Sequence, residues 1–319
     1  MAIGNNAGGH AVEWAAAEAA ARGCPLQVVH VSHPHWMVEP LSLVPLADVS
    51  GGAMAAREVV QAAVNRAASV VPDLEISAQV LSGPTVASVI SSGSGAQLLV
   101  LGSHAPYAGA LRGLLASSLF GRVAARARCP VVIIKQLPDS RSNLLPLRVV
   151  VGVDRTASST AALGFAFRAA AQRGLPVTAV HAWTPDRPAD HEAVSGPVAG
   201  SEASARAVLR QALSHWEHQF FHVPVESRLV CGDPAGVLIR ESEGAALVVV
   251  GSRGRGTVRA KAFGSVSRSV TRRAHCPAVV VRTEERRKGI EVRAGRRTVL
   301  PRAELARRQP DPRRQTPWA

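Results

Sequence analysis

The sequence lacks any long apolar run. Although 47% of its 319 residues are apolar, no stretch reaches 18 consecutive apolar residues, whereas a transmembrane helix needs about 20. The N-terminus also lacks the basic and then apolar pattern of a secretory signal. These absences predict a chain without a membrane span, and we expect it in the cytoplasm. Its length is sufficient for two ordinary hydrophobic cores.

Cysteine is scarce, and its spacing is not that of a metal or redox site. The four cysteines are Cys24, Cys129, Cys231 and Cys276, and no CxxC pair occurs among them. In a reducing compartment disulfides are rare, and isolated cysteines usually behave as small buried apolar residues. We therefore predict neither disulfides nor a metal site.

Acidic residues are outnumbered, 23 to 37, by lysine and arginine, and the net charge is +14. This excess is uneven: +1 over residues 1–147, +7 over 148–282 and +6 over 283–319. The last segment is rich in arginine and proline and has little apolar periodicity, so we expect a disordered basic tail. The middle segment carries its cations around one glycine-rich loop.

That loop follows an apolar strand and precedes a helix. The strand Leu247 to Val250 runs into Gly251 and Gly254, and Gly264-Ser265 opens the helix. Glycines let the backbone approach a ligand, and a helix N-terminus offers unpaired N–H groups to an anion. The cations favour a polyanionic ligand, but the glycines alone fit equally well the alternative of an ordinary loop with a solvated arginine face, which stays open here. Seven cations and no acid occur in the loop and helix: Arg253, Arg255, Arg259, Lys261, Arg268, Arg272 and Arg273.

The chain contains the same order of elements twice. Three segments recur at offsets of 147 to 151 residues: RGCPLQVVHV and RGLPVTAVHA, LLVLGSH and LVVVGSR, ARCPVVIIK and AHCPAVVVR. A unit of about 150 residues is one domain's worth. We predict a domain over 1–137, a linker over 138–146, a second domain over 147–282 and the tail over 283–319. His30 and His181 share a repeat position, and we interpret both as structural.

Short apolar strands alternate with longer segments of helical periodicity in each repeat. This alternation predicts an α/β fold with parallel strands joined by right-handed crossovers. In such a sheet ligands bind beyond the carboxyl ends of the strands. Asp154, Ala182 and Gly251 all lie near strand ends, so we expect them to line one crevice.

The spacing Gly251-x2-Gly254-x9-Gly264-Ser265 resembles the ATP-binding signature of the universal stress protein family. The flanking motifs VVVGVD, VHAW, GDPAGVLI and HCPAVVVR are similar to that family as well, and the agreement covers residues 148–282. The resemblance implies two tandem doubly wound, Rossmann-like domains. Each would have a mostly parallel five-stranded sheet of order 3-2-1-4-5. It also implies ATP as the ligand, with or without Mg²⁺.

The resemblance also assigns the site. Val153, Asp154 and Ala182 would contact the adenosine. The phosphates would be held by Gly251, Gly254, Gly264, Ser265 and Ser267. Arg253 and Val266 complete the predicted cofactor-binding residues. Ser265 and Ser267 have a compatible structural role as helix N-caps. The family pattern Asp-Gly-Ser is replaced by Asp154-Arg155-Thr156, and Arg155 either reaches a phosphate or crowds the entrance.

The first repeat departs from the predicted nucleotide-binding pattern of the second. It has Gly102-Ser103-His104-Ala105 at the first glycine pair and Ser117-Ser118 at the second, with two extra residues between them. An offset of 151 places Ile3 opposite Asp154, so the first domain lacks most of its first strand. Either the start codon is assigned too far downstream or this repeat is a decayed partner domain. In both cases we predict one competent site, in the second domain.

Three functions stay open at this point. The first is an ATP-binding stress-response or signalling module. The second is an interaction tandem without a ligand, its domains paired through Val131–Lys135 and Ala278–Arg282, with a homodimer as the other form of association. The third is nucleic-acid association through the tail, which is not expected because aromatic stacking residues and base-reading motifs are missing.

The intact loop favours the first of these functions. No general base, nucleophile pair or P-loop lysine accompanies it. We therefore predict no catalytic residue and a binding protein in place of an enzyme, with slow ATP hydrolysis left open.

Overall fold

The structure of this chain, a computed structural model, describes residues 1–3, 9–32, 49–103, 119–135, 147–184, 202–252, 264–283 and 297–300. The chain divides into two compact units, Met1–Ser88 with the segment from Arg293, and Val89–Val292. This division follows spatial contacts and differs from the division into sequence repeats. The domain limits at 137 and 147 remain predictions, and the linker 138–146 lies outside the described residues.

The first unit is a sheet with helices packed on it. Its strands are β1 (Ala2–Ile3), β2 (Leu26–Ser32), β3 (Ile76–Ser82) and β11 (Arg297–Leu300). Its helices are α1 (Gly9–Ala21), α2 (Val49–Val70) and the start of α3 (Thr85–Ser92). β1, β2 and β3 are parallel neighbours in that order, and β11 pairs antiparallel with β3.

Small apolar side chains at helical spacing hold α2 on this sheet. Val60, Ala63 and Ala67 are fully buried, as is Val12 on the facing α1. Positions three and four apart lie on one side of a helix, so α2 presents a continuous apolar face to α1, β2 and β3.

The second unit contains the remaining strands: β4 (Leu99–Ser103), β5 (Val131–Lys135), β6 (Val149–Gly152), β7 (Val177–Trp183), β8 (Val225–Cys231), β9 (Leu247–Gly251) and β10 (Ala278–Val281). Their order is β4-β5-β10-β9-β6-β7-β8. The five strands of the second repeat are parallel neighbours. Numbered within that repeat, their order is 3-2-1-4-5, which confirms the predicted doubly wound α/β fold.

Among the described residues of this unit, these strands are accompanied by the end of α3 and by α4 (described over 119–124), α5 (Ala157–Arg173), α6 (Glu202–Gln219), α7 (Pro234–Glu241) and α8 (Ser265–Arg273). Local sequence explains where two of them begin. Thr156 caps α5 by accepting from the Ser159 N–H, and Asp233 caps α7 by accepting from the Gly236 N–H. Pro234 follows at the first helical position, where a missing N–H costs nothing.

The last strands of the two repeats are antiparallel neighbours. Ala278 faces Ile133, Val279 faces Val132 and Val280 faces Val131. Val132 and Val279 occupy the same repeat position at the offset of 147, so the register of this pairing is symmetric about them. All six side chains are buried.

The first strand of the first repeat is short within the given sequence. β1 has two residues, paired with Val29 and His30, whereas β6 has four. The predicted register is wrong by one residue, however. His30 Nδ1 lies 3.1 Å from the Ile3 carbonyl oxygen, and His181 Nδ1 lies 2.7 Å from that of Val153. Ile3 therefore corresponds to Val153 and not to Asp154, because the connection from the first to the second strand is one residue shorter in the first repeat.

The tail also differs from expectation. Composition predicts disorder over 283–319, yet residues 297–300 form β11 on the edge of β3. Its β-branched pair Thr298-Val299 suits a strand. The tail residues 284–296 and 301–319 lie outside the described part of the chain. None of the described helices has the combination of length and apolar character that a bilayer span requires.

Candidate functional site

The candidate site lies where three parallel strands of the second repeat end. β7, β6 and β9 are neighbours in that order, so their carboxyl ends share one edge of the sheet. Val153 and Asp154 follow β6, Ala182 lies near the end of β7, and Gly251 ends β9. The structure thus brings the predicted adenosine and phosphate residues of these strands to one edge, the position at which parallel sheets bind ligands.

The backbone at the end of β6 is fixed from β7. Val153 donates its N–H to the Val180 carbonyl oxygen, and its own carbonyl oxygen lies 2.7 Å from Nδ1 of the buried His181. His30 makes the same contact with Ile3 in the first repeat. Both histidines therefore hold the first strand of their repeat, in agreement with their structural interpretation.

Asp154 is held by the start of α5. Its Oδ1 accepts from the Thr156 N–H at 2.7 Å and from the Thr156 hydroxyl at 2.5 Å, while its own N–H donates to Ser159 Oγ at 2.9 Å. Within the described part of the chain Oδ2 has no hydrogen-bond partner. The side chain is half-buried, and one of its two carboxylate oxygens is anchored.

Three residues with hydroxyl groups near Asp154 were not predicted from the sequence: Thr156, Ser158 and Ser159. Thr156 contacts Ser158 Oγ at 3.1 Å, and Ser159 Oγ lies 3.4 Å from the Gly152 carbonyl oxygen. Ser158 and Ser159 are buried. A threonine or serine two residues after an aspartate is typical of an Asx turn that leads into a helix, and this signal could have found Thr156.

Arg155 extends toward α6. Its side chain is exposed, and Nη2 donates to Ser204 Oγ at 3.3 Å. Among the described residues it has no carboxylate partner. The observed partner of the guanidinium is the first turn of α6. The two predicted alternatives, a contact with a phosphate or a crowded entrance to the site, both remain predictions.

Gly251 has a packing reason to be glycine. A Cβ at this position would lie 2.7 Å from Ser158 Oγ and 2.9 Å from the Ser158 carbonyl carbon. Such distances are far shorter than van der Waals contact, so β9 approaches α5 this closely only without a side chain. The glycine is therefore explained before any ligand is considered.

The start of α8 is joined to the end of β9 by two hydrogen bonds. Gly264 donates its N–H to the Ser252 carbonyl oxygen at 3.1 Å, and Ser267 Oγ donates to the Gly251 carbonyl oxygen at 2.6 Å. Ser267 is 2% exposed. Its hydroxyl proton is used inside the protein, so Ser267 can offer a phosphate only its backbone N–H.

Gly264 itself is the N-cap of α8, with φ −60° and ψ 148° and no side-chain capping bond. The predicted N-cap role of Ser265 and Ser267 is therefore wrong by position, because the helix begins one residue after Gly264. Ser265 is exposed and Val266 is half-buried in the same turn. An uncapped first turn leaves its N–H groups directed outward, which suits an anion.

Arg253 and Gly254 lie outside the described residues, as does the corresponding loop of the first repeat with His104, Ala105, Ser117 and Ser118. In the sequence Gly4 follows Ile3 at the position that corresponds to Asp154. The roles of all ten predicted site residues remain predictions. Across the described ranges, no group of three or more His, Cys, Asp or Glu side chains could hold a metal ion.

The chain is similar to known proteins over most of its length. The model of the universal stress protein family matches residues 1–135 and 147–282. The universal stress protein Rv2005c of Mycobacterium tuberculosis is 33% identical over 283 residues, which cover 84% of this chain and 91% of that protein.

One solved structure agrees with the fold over most of the chain. The crystal structure of a universal stress protein from Archaeoglobus fulgidus has 20% sequence identity and a TM-score of 0.61, covering 85% of this chain and 91% of that one. A universal stress protein solved in complex with cAMP is 26% identical with a TM-score of 0.35, covering 43% of this chain and 98% of that one. The bound cAMP is a property of that protein.

Proposed function

Because this chain belongs to the universal stress protein family, we propose that it is an ATP-binding stress-response or signalling module with one competent site, in the second repeat. The proposal places the adenosine beside Val153, Asp154 and Ala182, and the phosphates at the first turn of α8. The chain acts as a binding protein: nucleotide occupancy changes the conformation or the partners of the second repeat.

The single observation that carries the proposal is the N-terminus of α8. Its N-cap is a glycine in an extended conformation that any residue adopts, with φ −60° and ψ 148°. Serine, threonine, aspartate or asparagine would stabilise the helix at that position. A glycine there forgoes this stabilisation but leaves the N–H groups of the turn accessible to a phosphate. The family signature requires that same glycine.

Asp154 supplies the second part of the argument. With Oδ1 bonded twice to Thr156, its carboxylate is fixed while Oδ2 stays available. In the proposed complex Oδ2 accepts from a ribose hydroxyl. An anion-binding helix end and a hydroxyl-accepting carboxylate at one sheet edge fit the two ends of a nucleotide.

The test exploits the conflict between capping and binding at residue 264. Gly264→Asp adds a side-chain cap and a negative charge to the N-terminus, so the free energy of unfolding should stay unchanged or rise by about 0.5–1 kcal/mol. The same carboxylate would occupy the phosphate position and repel it. We expect fluorescent ATP analogue binding to the full chain, titrated with and without Mg²⁺, to weaken at least about tenfold.

Gly264→Ser is the matched control, since it adds a neutral cap of similar size. It should weaken binding less than Gly264→Asp at equal or greater stability. Two results would contradict the proposal: no sub-millimolar binding by the unmutated chain, or equal affinities for the unmutated chain and Gly264→Asp.

A second candidate, an interaction tandem that needs no ligand, is supported by the antiparallel pairing of β5 with β10. In that case the last strands would join the two repeats of one chain, or two chains as a homodimer. Absence of nucleotide binding in the unmutated chain would favour this candidate, and size measurement by light scattering would distinguish its two forms.

A further inference from the structure

Hydrogen bonds hold both ends of α8. Of its nine residues Ser267, Val270 and Thr271 are buried and Val266 is half-buried, so the helix packs on the protein through few apolar side chains. Its position therefore depends in part on the hydrogen bonds at its two ends. At the N-terminal end these are the contacts of Gly264 and Ser267 with the Ser252 and Gly251 carbonyl oxygens.

The C-terminal end is held by a residue of the other repeat. Lys135, the last residue of β5, donates from Nζ to the Ala274 carbonyl oxygen at 2.5 Å. Ala274 is the C-cap of α8 and donates its own N–H to the Val270 carbonyl oxygen. A cation at this end of a helix interacts favourably with the helix dipole. On the other side, the buried Ser242 accepts from the His275 N–H at 2.9 Å.

The surroundings of Lys135 determine its charge. Burial lowers the pKa of Lys135 to about 8, so the amine is still mostly protonated at neutral pH. Burial also raises the pKa of the neighbouring Cys276 thiol to about 12. The thiol therefore stays neutral and does not compete with the Ala274 carbonyl oxygen as a counter-charge. Arg272 and Arg273, in the last turn of α8, are exposed.

We propose that Lys135, a residue of the first repeat, is a positioning residue for the nucleotide site of the second repeat. It fixes the C-terminal end of α8, whose N-terminus is the phosphate-binding end of the site. This inference rests on the function proposed above. A nine-residue helix is about 13 Å long, so Lys135 acts from the far end without touching the nucleotide. The first repeat thereby serves the site of the second.

The chain contains a matched control. Arg282 occupies the repeat position of Lys135 at the end of β10, and its guanidinium donates to the Ala125 carbonyl oxygen at the end of α4. Both cations therefore reach from one of the two paired strands to a helix end of the other repeat. Of these two hydrogen bonds, that of Lys135 is made to the C-cap of α8. Loss of Arg282 removes the equivalent contact at the end of β10 and leaves the hydrogen bond between Lys135 and Ala274 in place.

The experiment measures the affinity of the full-length chain for the fluorescent ATP analogue in Lys135→Met, Lys135→Arg and Arg282→Met. We expect Lys135→Met to bind about two- to fivefold more weakly, the factor that matches about 0.3–1 kcal/mol for a charge at a helix end. Lys135→Arg restores the cation and donor and should recover most of the affinity. Arg282→Met should bind like the unmutated chain.

Hydrogen exchange of the nucleotide-free chains gives a second readout that does not depend on binding. Lys135→Met should accelerate exchange in α8, and Arg282→Met should accelerate it in α4 only. Equal affinities in Lys135→Met and the unmutated chain, or equal effects of the two methionine variants on α8, would overturn the inference. If the unmutated chain binds no nucleotide, the proposed function fails, and exchange in α8 alone decides whether Lys135 positions the helix.

Discussion

At the scale of single residues, Gly251 and Gly264 differ in what a side chain would meet. A Cβ on Gly251 would collide with the backbone of Ser158 at 2.9 Å. Gly264 has an extended backbone that tolerates any residue. The first glycine is needed for α5 to pack on β9, whereas the second is free to serve a ligand. Loss of binding in a Gly251 variant would therefore say little about the ligand.

Gly251→Ala should destabilise the chain by about 1–3 kcal/mol, the usual cost of overpacking, because the neighbouring atom is backbone and cannot rotate away. Urea denaturation of the full chain measures this loss. Gly95→Ala is the control, since nothing lies within 4 Å of a Cβ there, and its unfolding free energy should change by less than about 0.5 kcal/mol. Equal stability of the two variants would contradict the packing explanation.

At the scale of helices and strands, β11 gives the edge of β3 a backbone partner. Arg297 to Leu300 face Leu81 to Ala78 in antiparallel register. An open edge strand offers unpaired N–H and C=O groups to other chains. This short segment therefore covers an edge that would otherwise be available for self-association.

Replacing Thr298 and Val299 together by proline should remove this protection, since at least one of two successive N–H groups points to β3 and proline has none. We expect a loss of about 1–3 kcal/mol in the unfolding of the first unit and concentration-dependent association by light scattering. Deletion of 301–319 keeps β11 and should show neither effect. If the double variant behaves like this deletion, β11 does not protect the edge.

Whether an element could be predicted depends on how far apart in the sequence the residues that form it lie. The strands of the second repeat are apolar runs between turns, and Gly251 and Asp154 follow two of them, so local pattern sufficed for the sheet and its edge. β11 was missed because a charged, proline-rich composition outweighs one β-branched pair. The contact of Lys135 with Ala274 spans 139 residues, and no local pattern encodes it. The predicted register at Ile3 was wrong because the connection from the first to the second strand is one residue shorter in the first repeat than in the second.

At the scale of the whole molecule, the two repeats have the same order of elements but differ in the residues of the predicted ligand site. Both retain the histidine that holds the first strand, at His30 and His181. Only the second has a full β6 followed by a carboxylate. In the first, two residues form β1, and glycine follows Ile3 in the sequence. The first repeat therefore shares the structural histidine contact of the second but has a different residue at the position of Asp154.

We therefore expect one nucleotide per chain. Native mass spectrometry of the full chain at the lowest ATP concentration that saturates it should show a single bound nucleotide. Gly264→Asp should show a clearly lower occupancy at the same concentration, because all binding depends on α8. Two nucleotides per unmutated chain would contradict the loss of the first site. One nucleotide retained by Gly264→Asp would place the site in the first repeat.

The hydrogen bond from the Gly264 N–H to the Ser252 carbonyl oxygen has a consequence for the tolerance of insertions. It joins the two ends of the segment 253–263, so the spacing of β9 and α8 does not depend on the length of the chain between them. Doubling the length of a flexible loop with fixed ends costs only about 0.6 kcal/mol. A peptide inserted between Ser252 and Gly264 would therefore leave β9 and α8 joined at the same spacing.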